Sequence, residues 1–142
     1  MNFVLALELK NKYSVFGHFY QLKIEDNIFN CRSLLEIYKN KENYSPDSPD
    51  AIFIMMNPGS SKPIDTSVSS QVVNYRELSN LKTKELIATK PDNAQYQIMR
   101  LMDLNSWNFV RVINLSDLRN GKSSEFQKQF QKVRYLDKNN SH

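Results

Sequence analysis

The sequence contains little cysteine, glycine or histidine: one, three and two residues respectively among 142. A single cysteine, Cys31, excludes an internal disulfide and a zinc site built from paired cysteines, and it fits a reducing cytoplasm. The glycines form none of the patterns G-x-x-x-x-G-K-[ST], G-x-G-x-x-G or G-x-S-x-G. A P-loop, a Rossmann fingerprint and an esterase-type nucleophile elbow are therefore excluded. We expect no metal and no organic cofactor.

Long hydrophobic runs are also missing. No apolar stretch approaches the ~20 residues that cross a bilayer, and the longest is Ala51 to Met56. The segment Met1–Glu8 has no basic region before its apolar residues, so we expect no signal peptide. With 40% hydrophobic and 24% charged residues, the sequence predicts one cytoplasmic domain over residues 1–142 and no membrane partner.

The charge is weakly basic. The net charge is +4 and the isoelectric point about 9.1, but lysines are dispersed along the chain. This balance favours a nucleotide or a single strand of nucleic acid, bound weakly, over a long duplex that needs several phosphate contacts. The alternative is a solvated surface without an anionic partner.

The first fifty residues predict three segments. Weak alternation over residues 1–30 indicates N-terminal strands, as a hairpin or two short strands with a turn at Asn11–Lys12. From Cys31 to Lys41 the apolar spacing is typical of a helix, because Cys31, Leu34, Leu35 and Tyr38 would share one face. Residues 42–50 are rich in proline, serine and asparagine and predict a loop.

A core motif region spans residues 51–125. Ala51–Met56 and Phe109–Ile113 are apolar without alternation, which is typical of strands buried on both faces of a parallel sheet. Between them, a helix over Ala94–Asn105 has a cap in Asp92 or Asn93. This order predicts a βαβ unit whose two strand-end loops open on one edge, where open α/β sheets bind ligands.

The other segments are less regular. Lys62–Pro91 is polar and predicts a flap, with a helix somewhere in Val68–Leu86. A last helix should begin near Ser123–Ser124, and residues 137–142 should form a frayed tail. The whole pattern predicts a three-layer α/β/α domain with a mainly parallel sheet, to which the N-terminal strands add at an edge.

The two loops after the predicted strands contain the candidate site. Backbone amides near Gly59 can hold an anion, Asn57 offers an amide side chain, and Arg119 can bind phosphate or pair with Asp117. Lys62 and Lys122 lie close to these loops in the sequence. The predicted catalytic residues are Asn57 and Asp92, and the predicted ligand-binding residues are Gly59, Ser60, Ser61, Asn114, Asp117 and Arg119. The alternatives are ordinary turn chemistry for the loops and a helix cap for Asp92.

Four stretches together resemble a bacterial family classed as a domain of unknown function. They are Arg32-Ser33-Leu34-Leu35, Ile52 to Ser61, Pro91 through Arg100, and Val112 to Arg119. In that family an Arg-x-x-Leu helix precedes a strand ending in Asn-Pro-Ser or Asn-Pro-Gly. A second strand ends in Asn-Leu with an arginine close behind. Ala94 stands where the family usually has threonine.

The strand-end motifs also resemble, more distantly, the uracil-DNA glycosylase superfamily. Met55-Met56-Asn57-Pro58-Gly59 is similar to its first catalytic loop. The resemblance implies a glycosylase-like fold in which Asn57 positions water and the pocket receives a flipped nucleobase. The late His-Pro-Ser-like loop of that superfamily is absent, which implies the alternative of a non-catalytic binding or regulatory domain. A C-terminally truncated sheet would expose an edge, and we expect an oligomer or another partner to cover it.

Overall fold

A computed structural model describes residues 4–41, 46–67, 70–81, 85–119 and 123–140; in the last helix it describes side chains for residues 128–138 only. In chain order the elements are α1 (Ala6–Lys12), β1 (Tyr13–Ile24), β2 (Asn27–Lys39), β3 (Ala51–Met55), β4 (Lys62–Pro63), β5 (Gln71–Asn74), a 3-10 helix (Tyr75–Asn80), β6 (Ile87–Lys90), α2 (Asn93–Asn105), β7 (Phe109–Asn114) and α3 (Ser123–Asn140).

The strands form one seven-stranded sheet in the order β3-β7-β2-β1-β6-β4, with β5 also paired to β1. Four of the six pairings between described strands are antiparallel, and only β3–β7 and β1–β5 are parallel. The prediction of a mainly parallel, three-layer, glycosylase-like sheet is therefore wrong. The physical reason is the long β1–β2 hairpin, which places antiparallel strands at the centre of the sheet.

The β1–β2 hairpin overturns several predictions about the N-terminal region. Its strands lie in the middle of the sheet, and its turn is at Glu25–Asp26. The segment Ala6–Lys12 is helical, so the predicted turn at Asn11–Lys12 is wrong. The predicted helix Cys31–Lys41 is wrong as well, because these residues up to Lys39 belong to β2.

The parallel pairing of β3 with β7 agrees with the sequence prediction. Ala51 lies opposite Val110, and Met55 lies opposite Asn114. The prediction that β3 is buried on both faces is wrong, however, because β3 is the outer strand of the sheet. One of its faces packs on the core, whereas Ile52 and Ile54 on the other are 57% and 65% exposed.

Helix α2 begins where the sequence predicts a cap. The Asp92 carboxylate accepts N–H bonds from Ala94 and Gln95, and the Gln95 side chain accepts from the Asp92 N–H, which completes a capping box. The helix ends at Asn105, and its C-cap Ser106 has a φ of 56°, in the left-handed region. Its buried face carries Ile98, Met99 and Met102, while Leu101 is 42% exposed.

Two hydrophobic clusters occupy different halves of the sheet. The first joins α1 and α2 to the start of β1, the end of β2 and β7. Its buried members are Leu9, Tyr13, Val15, Leu35, Ile37, Ile98, Met99, Met102, Val110 and Val112. The second joins the end of β1 and the start of β2 to β5 and α3. Its buried members are Tyr20, Leu22, Ile24, Phe29, Cys31, Val73, Leu118 and Leu136.

The polar segment predicted as a flap contains three short strands, β4 to β6, in its described part. The helix predicted in Val68–Leu86 corresponds to a single 3-10 helix, Tyr75–Asn80. Helix α3 begins at Ser123, as predicted. It continues to Asn140, so residues 137–140, which were predicted to form a frayed tail, are helical. Lys122 and residues 141–142 lie outside the described residues.

Candidate functional site

The loops after β3 and β7 run side by side. The N–H of Leu115 donates to the Met55 carbonyl at 2.8 Å, and the N–H of Ser116 donates to the Met56 carbonyl at 3.1 Å. Parallel pairing makes both loops leave the same edge of the sheet, so Asn57 and Asn114 lie at that edge, as predicted. The carboxyl ends of β3 and β7 are therefore where the candidate residues approach one another.

Ser61 is the centre of the polar contacts at this edge, and it is only 2% exposed. Arg32 donates from Nη1 to the Ser61 hydroxyl. Arg119 donates from Nη2 to the Ser61 carbonyl at 3.1 Å. The Ser61 N–H donates to Oδ2 of Asp92 at 3.3 Å. Each polar group of Ser61 therefore has a partner, and three distant segments are tied to one residue.

The Asp92 carboxylate connects this loop to α2. Its Oδ1 accepts N–H bonds from Ala94 at 3.0 Å and from Gln95 at 3.3 Å, while its Oδ2 faces Gly59 and Ser61. A Cβ atom at Gly59 would lie 2.5 Å from Asp92 Oδ2, so only glycine permits this approach. The predicted anion nest at Gly59–Ser61 thus faces an anion of the chain itself.

Two arginines in this region, Arg32 and Arg119, are held mainly by contacts other than salt bridges. Arg32 is 1% exposed, and neither it nor Arg119 forms a salt bridge among the described residues. Burial lowers the pKa of Arg32 to about 10, and burial also lowers the pKa of Arg119. The Nε atoms of both are buried and find no hydrogen-bond partner among the residues that the structure describes. The Arg119 guanidinium lies 4.9 Å from the Phe19 ring centroid.

Asp117 is bound to the sheet by other contacts than the predicted pair with Arg119. Its Oδ2 accepts the hydroxyl of Tyr20 at 2.7 Å, and its carbonyl accepts the N–H of Arg32 at 2.9 Å. Burial raises the pKa of Asp117, and the Tyr20 hydrogen bond and the charges of His18 and Arg32 oppose this rise. Burial likewise raises the pKa of Tyr20.

The two asparagines are less connected to the Ser61 contacts. Asn57 donates from Nδ2 to the carbonyl of Pro58 at 3.2 Å. Both polar atoms of the Asn114 side chain are buried and have no hydrogen-bond partner in the described part of the chain. A buried amide without partners costs about 1–3 kcal/mol, so Asn114 is a costly feature of this edge.

A pocket of about 320 Å³ lies beside the Asp92 cap. It is lined by Ser60, Lys62, Lys90, Pro91, Asp92 and Asn93. Lys62 and Lys90 are directly opposite each other across β4 and β6, and both are exposed. Of the predicted site residues, only Ser60 and Asp92 line this pocket, so its centre lies away from the Asn114–Arg119 loop.

The sequence interpretation missed Lys90 and Arg32 as site residues. Arg32 appeared only as part of a helical motif, although it lies in β2. Its available signal is its position between the apolar residues Cys31 and Leu34, where a charged side chain requires a buried polar partner. No comparable signal marks Lys90, because its position opposite Lys62 depends on how two short strands pair.

Broader observations place limits on the site. No group of three or more His, Cys, Asp or Glu side chains is arranged to hold a metal ion in the part of the chain that the structure describes. None of the described helices is long and apolar enough to cross a membrane. Comparison with protein families, curated proteins and solved structures finds no match for this chain.

Proposed function

We propose that this chain is a binding domain for a small phosphorylated ligand, which it holds in the pocket beside the Asp92 cap. One observation carries the proposal: Lys62 and Lys90 lie directly opposite each other and line the same pocket as the first residues of α2. Like charges directly opposite each other on neighbouring strands destabilise a sheet. An anion bound between them would remove that repulsion.

The start of α2 adds to the attraction for an anion. The helix has 13 residues, and Asn93, its first residue, lines the pocket. The N-terminus of a helix carries roughly half a positive charge and presents backbone N–H groups, which favours phosphate. The Asp92 carboxylate offsets part of this field, so we expect modest affinity.

The buried arginines support the same pocket indirectly. Arg32 and Arg119 hold Ser61, the neighbour of the pocket residue Ser60, and neither is paired with a carboxylate among the described residues. The carboxylates of Asp92 and Asp117 interact electrostatically with Arg32 and offset part of its charge. The hydrogen bonds of the two arginines fix the backbone that forms one wall of the pocket, which reduces the entropy lost when a ligand binds.

The pocket lining favours recognition of the phosphate group over recognition of a base. Its volume of about 320 Å³ suits a small ligand, and its lining residues include no aromatic side chain on which a base can stack. A mononucleotide or the end of a single strand fits this description. For nucleic acid we expect affinity on the order of the non-specific 10⁻⁴–10⁻⁶ M range, falling with salt.

Binding without turnover is the form of this function that the contacts support. The Asp92 carboxylate accepts three backbone N–H groups, from Ser61, Ala94 and Gln95, so both of its oxygens already serve as a helix cap and a loop anchor. The catalytic roles of Asn57 and Asp92 stay predictions from the glycosylase resemblance.

Calorimetric titration with inorganic phosphate and with a mononucleotide tests the proposal. The double variant Lys62→Gln/Lys90→Gln should bind about tenfold more weakly or worse, a change of about 1.4 kcal/mol or more. The matched control is Lys10→Gln/Lys23→Gln, which removes two exposed lysines outside the pocket lining. Equal losses in both double variants, or unchanged affinity in the first, would contradict the proposal.

A further inference from the structure

Ser33 and His18 form a close pair that the phosphate pocket does not use. The Ser33 hydroxyl oxygen lies 2.6 Å from Nδ1 of His18. His18 is 4% exposed, whereas Ser33 is partly exposed, so the hydroxyl is the more accessible member of the pair. When the imidazole proton is on Nε2, the Ser33 hydroxyl donates to Nδ1, which is the arrangement of a nucleophile and its general base.

A β-bulge creates this pair. The β1–β2 register passes from His18 opposite Leu34 to Phe19 opposite Arg32, so Ser33 lies opposite no residue of β1. A bulge interrupts the hydrogen-bond ladder and redirects the side chain of the extra residue, and bulges are frequent beside active sites. In a regular ladder Ser33 would take its place opposite β1, so the bulge is what sets its approach to His18.

A carboxylate acts on the histidine from a third segment. Asp117 and His18 interact electrostatically, and the Tyr20 hydroxyl holds the Asp117 carboxylate at 2.7 Å. The Tyr20 ring also stacks with the His18 ring, at 6.0 Å between centroids. A nearby carboxylate stabilises the imidazolium that forms when a histidine takes a proton, and a packed aromatic ring fixes the imidazole plane.

His18 contacts a partly exposed hydroxyl on a bulge residue, and it interacts electrostatically with the Asp117 carboxylate. We propose that Ser33 is a nucleophile activated by His18 and supported by Asp117, and that this pair hydrolyses carboxylic esters.

The chemical step needs no group beyond these residues, an ester and water. The Ser33 oxygen attacks the acyl carbon while its proton passes to Nδ1 of His18, and the bond from the acyl carbon to the alcohol oxygen breaks. The departing alcohol takes the proton from His18. Water then attacks the acyl-serine by the same route in reverse, which releases the acid and restores the hydroxyl.

This activity is separable from phosphate binding. Neither Ser33 nor His18 lines the pocket that holds Lys62 and Lys90. The two sites are connected through Arg32, which precedes Ser33 in the chain and bonds to the Ser61 hydroxyl, and through Arg119, which follows Asp117 in the chain and bonds to the Ser61 carbonyl. Loss of one function therefore does not require loss of the other.

A fluorophosphonate probe tests the nucleophile directly, because it forms a bond between phosphorus and an activated serine oxygen and releases fluoride. We expect the folded wild-type chain to gain one label, which peptide mapping by mass spectrometry assigns to Ser33. The chain unfolded in urea should label far more slowly. No label on Ser33 after saturating exposure, or equal labelling when unfolded, would overturn the proposal without any variant.

Variants of His18 then test whether Ser33 reacts because His18 activates it or only because its hydroxyl is accessible to solvent. His18→Gln and His18→Asn, each verified as folded by circular dichroism, should reduce the labelling rate about 100-fold or more, as loss of a general base does. The matched control is Ser14, which lies on the same strand and bonds to Asn40 Oδ1 at 2.5 Å. Ser14→Ala should label at Ser33 like the wild type. A Ser33 label that survives in a folded His18 variant would contradict activation by His18.

Discussion

The centre of the sheet and its β3 edge contain the same apolar residue types but differ in how they are covered. Ile37 in β2 is 0% exposed, whereas Ile54 in β3 is 65% exposed. Strand β2 has neighbours on both sides and a helical layer on its packed face; β3 has one neighbouring strand, β7. The difference shows that residue type selects a strand, while the neighbours of that strand decide what its side chains contribute to stability.

The largest expected effect is a difference in stability between two isoleucine-to-alanine variants, one in β2 and one in β3. Ile37→Ala should destabilise the chain by about 2–5 kcal/mol, because it leaves a cavity in the first hydrophobic cluster. Ile54→Ala should change the free energy of unfolding by about 0.5 kcal/mol or less. Urea unfolding followed by circular dichroism measures both. Similar losses for the two variants would show that the β3 face is covered.

The sequence interpretation of β2 failed because its apolar residues also fit a helix. Cys31, Leu34, Leu35 and Tyr38 have the i, i+3, i+4, i+7 spacing of one helix face. In the structure Cys31 and Leu35 belong to different hydrophobic clusters, and the register shift at Ser33 lies between them. That shift depends on the pairing with β1 and has no local signal, so sequence alone could not distinguish the strand from a helix.

The parts of the fold that could be predicted depend on local chemistry. The Asp92 cap follows from a carboxylate placed three residues before Gln95, and the β3–β7 pairing follows from two apolar strands around one helix. The edge position of β3 and the opposition of Lys62 and Lys90 depend on contacts between distant segments. No local pattern encodes those contacts.

A pH series tests the Asp117 carboxylate, which accepts the hydroxyl of Tyr20 from the central strand β1. Burial raises the pKa of Asp117 in the folded chain, so the folded state binds a proton more tightly than the unfolded chain. Stability from this residue is therefore present at acidic pH and lost as the pH rises through the folded pKa. Asp117→Asn should lack that loss.

We therefore expect the free energy of unfolding of Asp117→Asn, relative to the wild type, to increase from acidic to neutral pH. The Asn oxygen can still accept the Tyr20 hydroxyl, so the substitution changes the charge more than the contact. Urea unfolding over that pH range is the measurement. The opposite slope would mean that the surrounding charges of His18 and Arg32 outweigh burial.

A charged residue introduced on the exposed face of β3 tests whether this outer strand mediates association between molecules. Among the described strands β3 is paired on one side only, and no charged residue lies between Asp50 and Asn57; such edges promote association between sheets. We expect the wild type to elute earlier in size-exclusion chromatography as its concentration rises, and Ile54→Lys to reduce that shift. Concentration-independent elution of the wild type would argue against association through β3.

The smallest expected effect is a difference in phosphate affinity between variants in the loop after β7 and in the loop after β3. Arg119 holds the Ser61 carbonyl and so supports the pocket wall; Arg119→Ala should weaken phosphate binding by a few-fold, about 1 kcal/mol. Asn57 bonds to the carbonyl of Pro58 and lies outside the pocket lining, so Asn57→Ala should leave binding largely unchanged. Calorimetric titration of both variants with phosphate measures the two affinities. A larger loss of affinity in Asn57→Ala than in Arg119→Ala would contradict this prediction.

The central claim is that an anion binds between the two lysines and the start of α2, and a two-dimensional amide NMR titration with inorganic phosphate tests it most directly. The account predicts saturable shifts of the amide signals of Ser60, Lys90 and Asn93, which line the pocket. A competing basic surface is helix α3, which carries Lys128, Lys132 and Lys138. Shifts confined to α3, or no saturable shift in the pocket, would contradict the account.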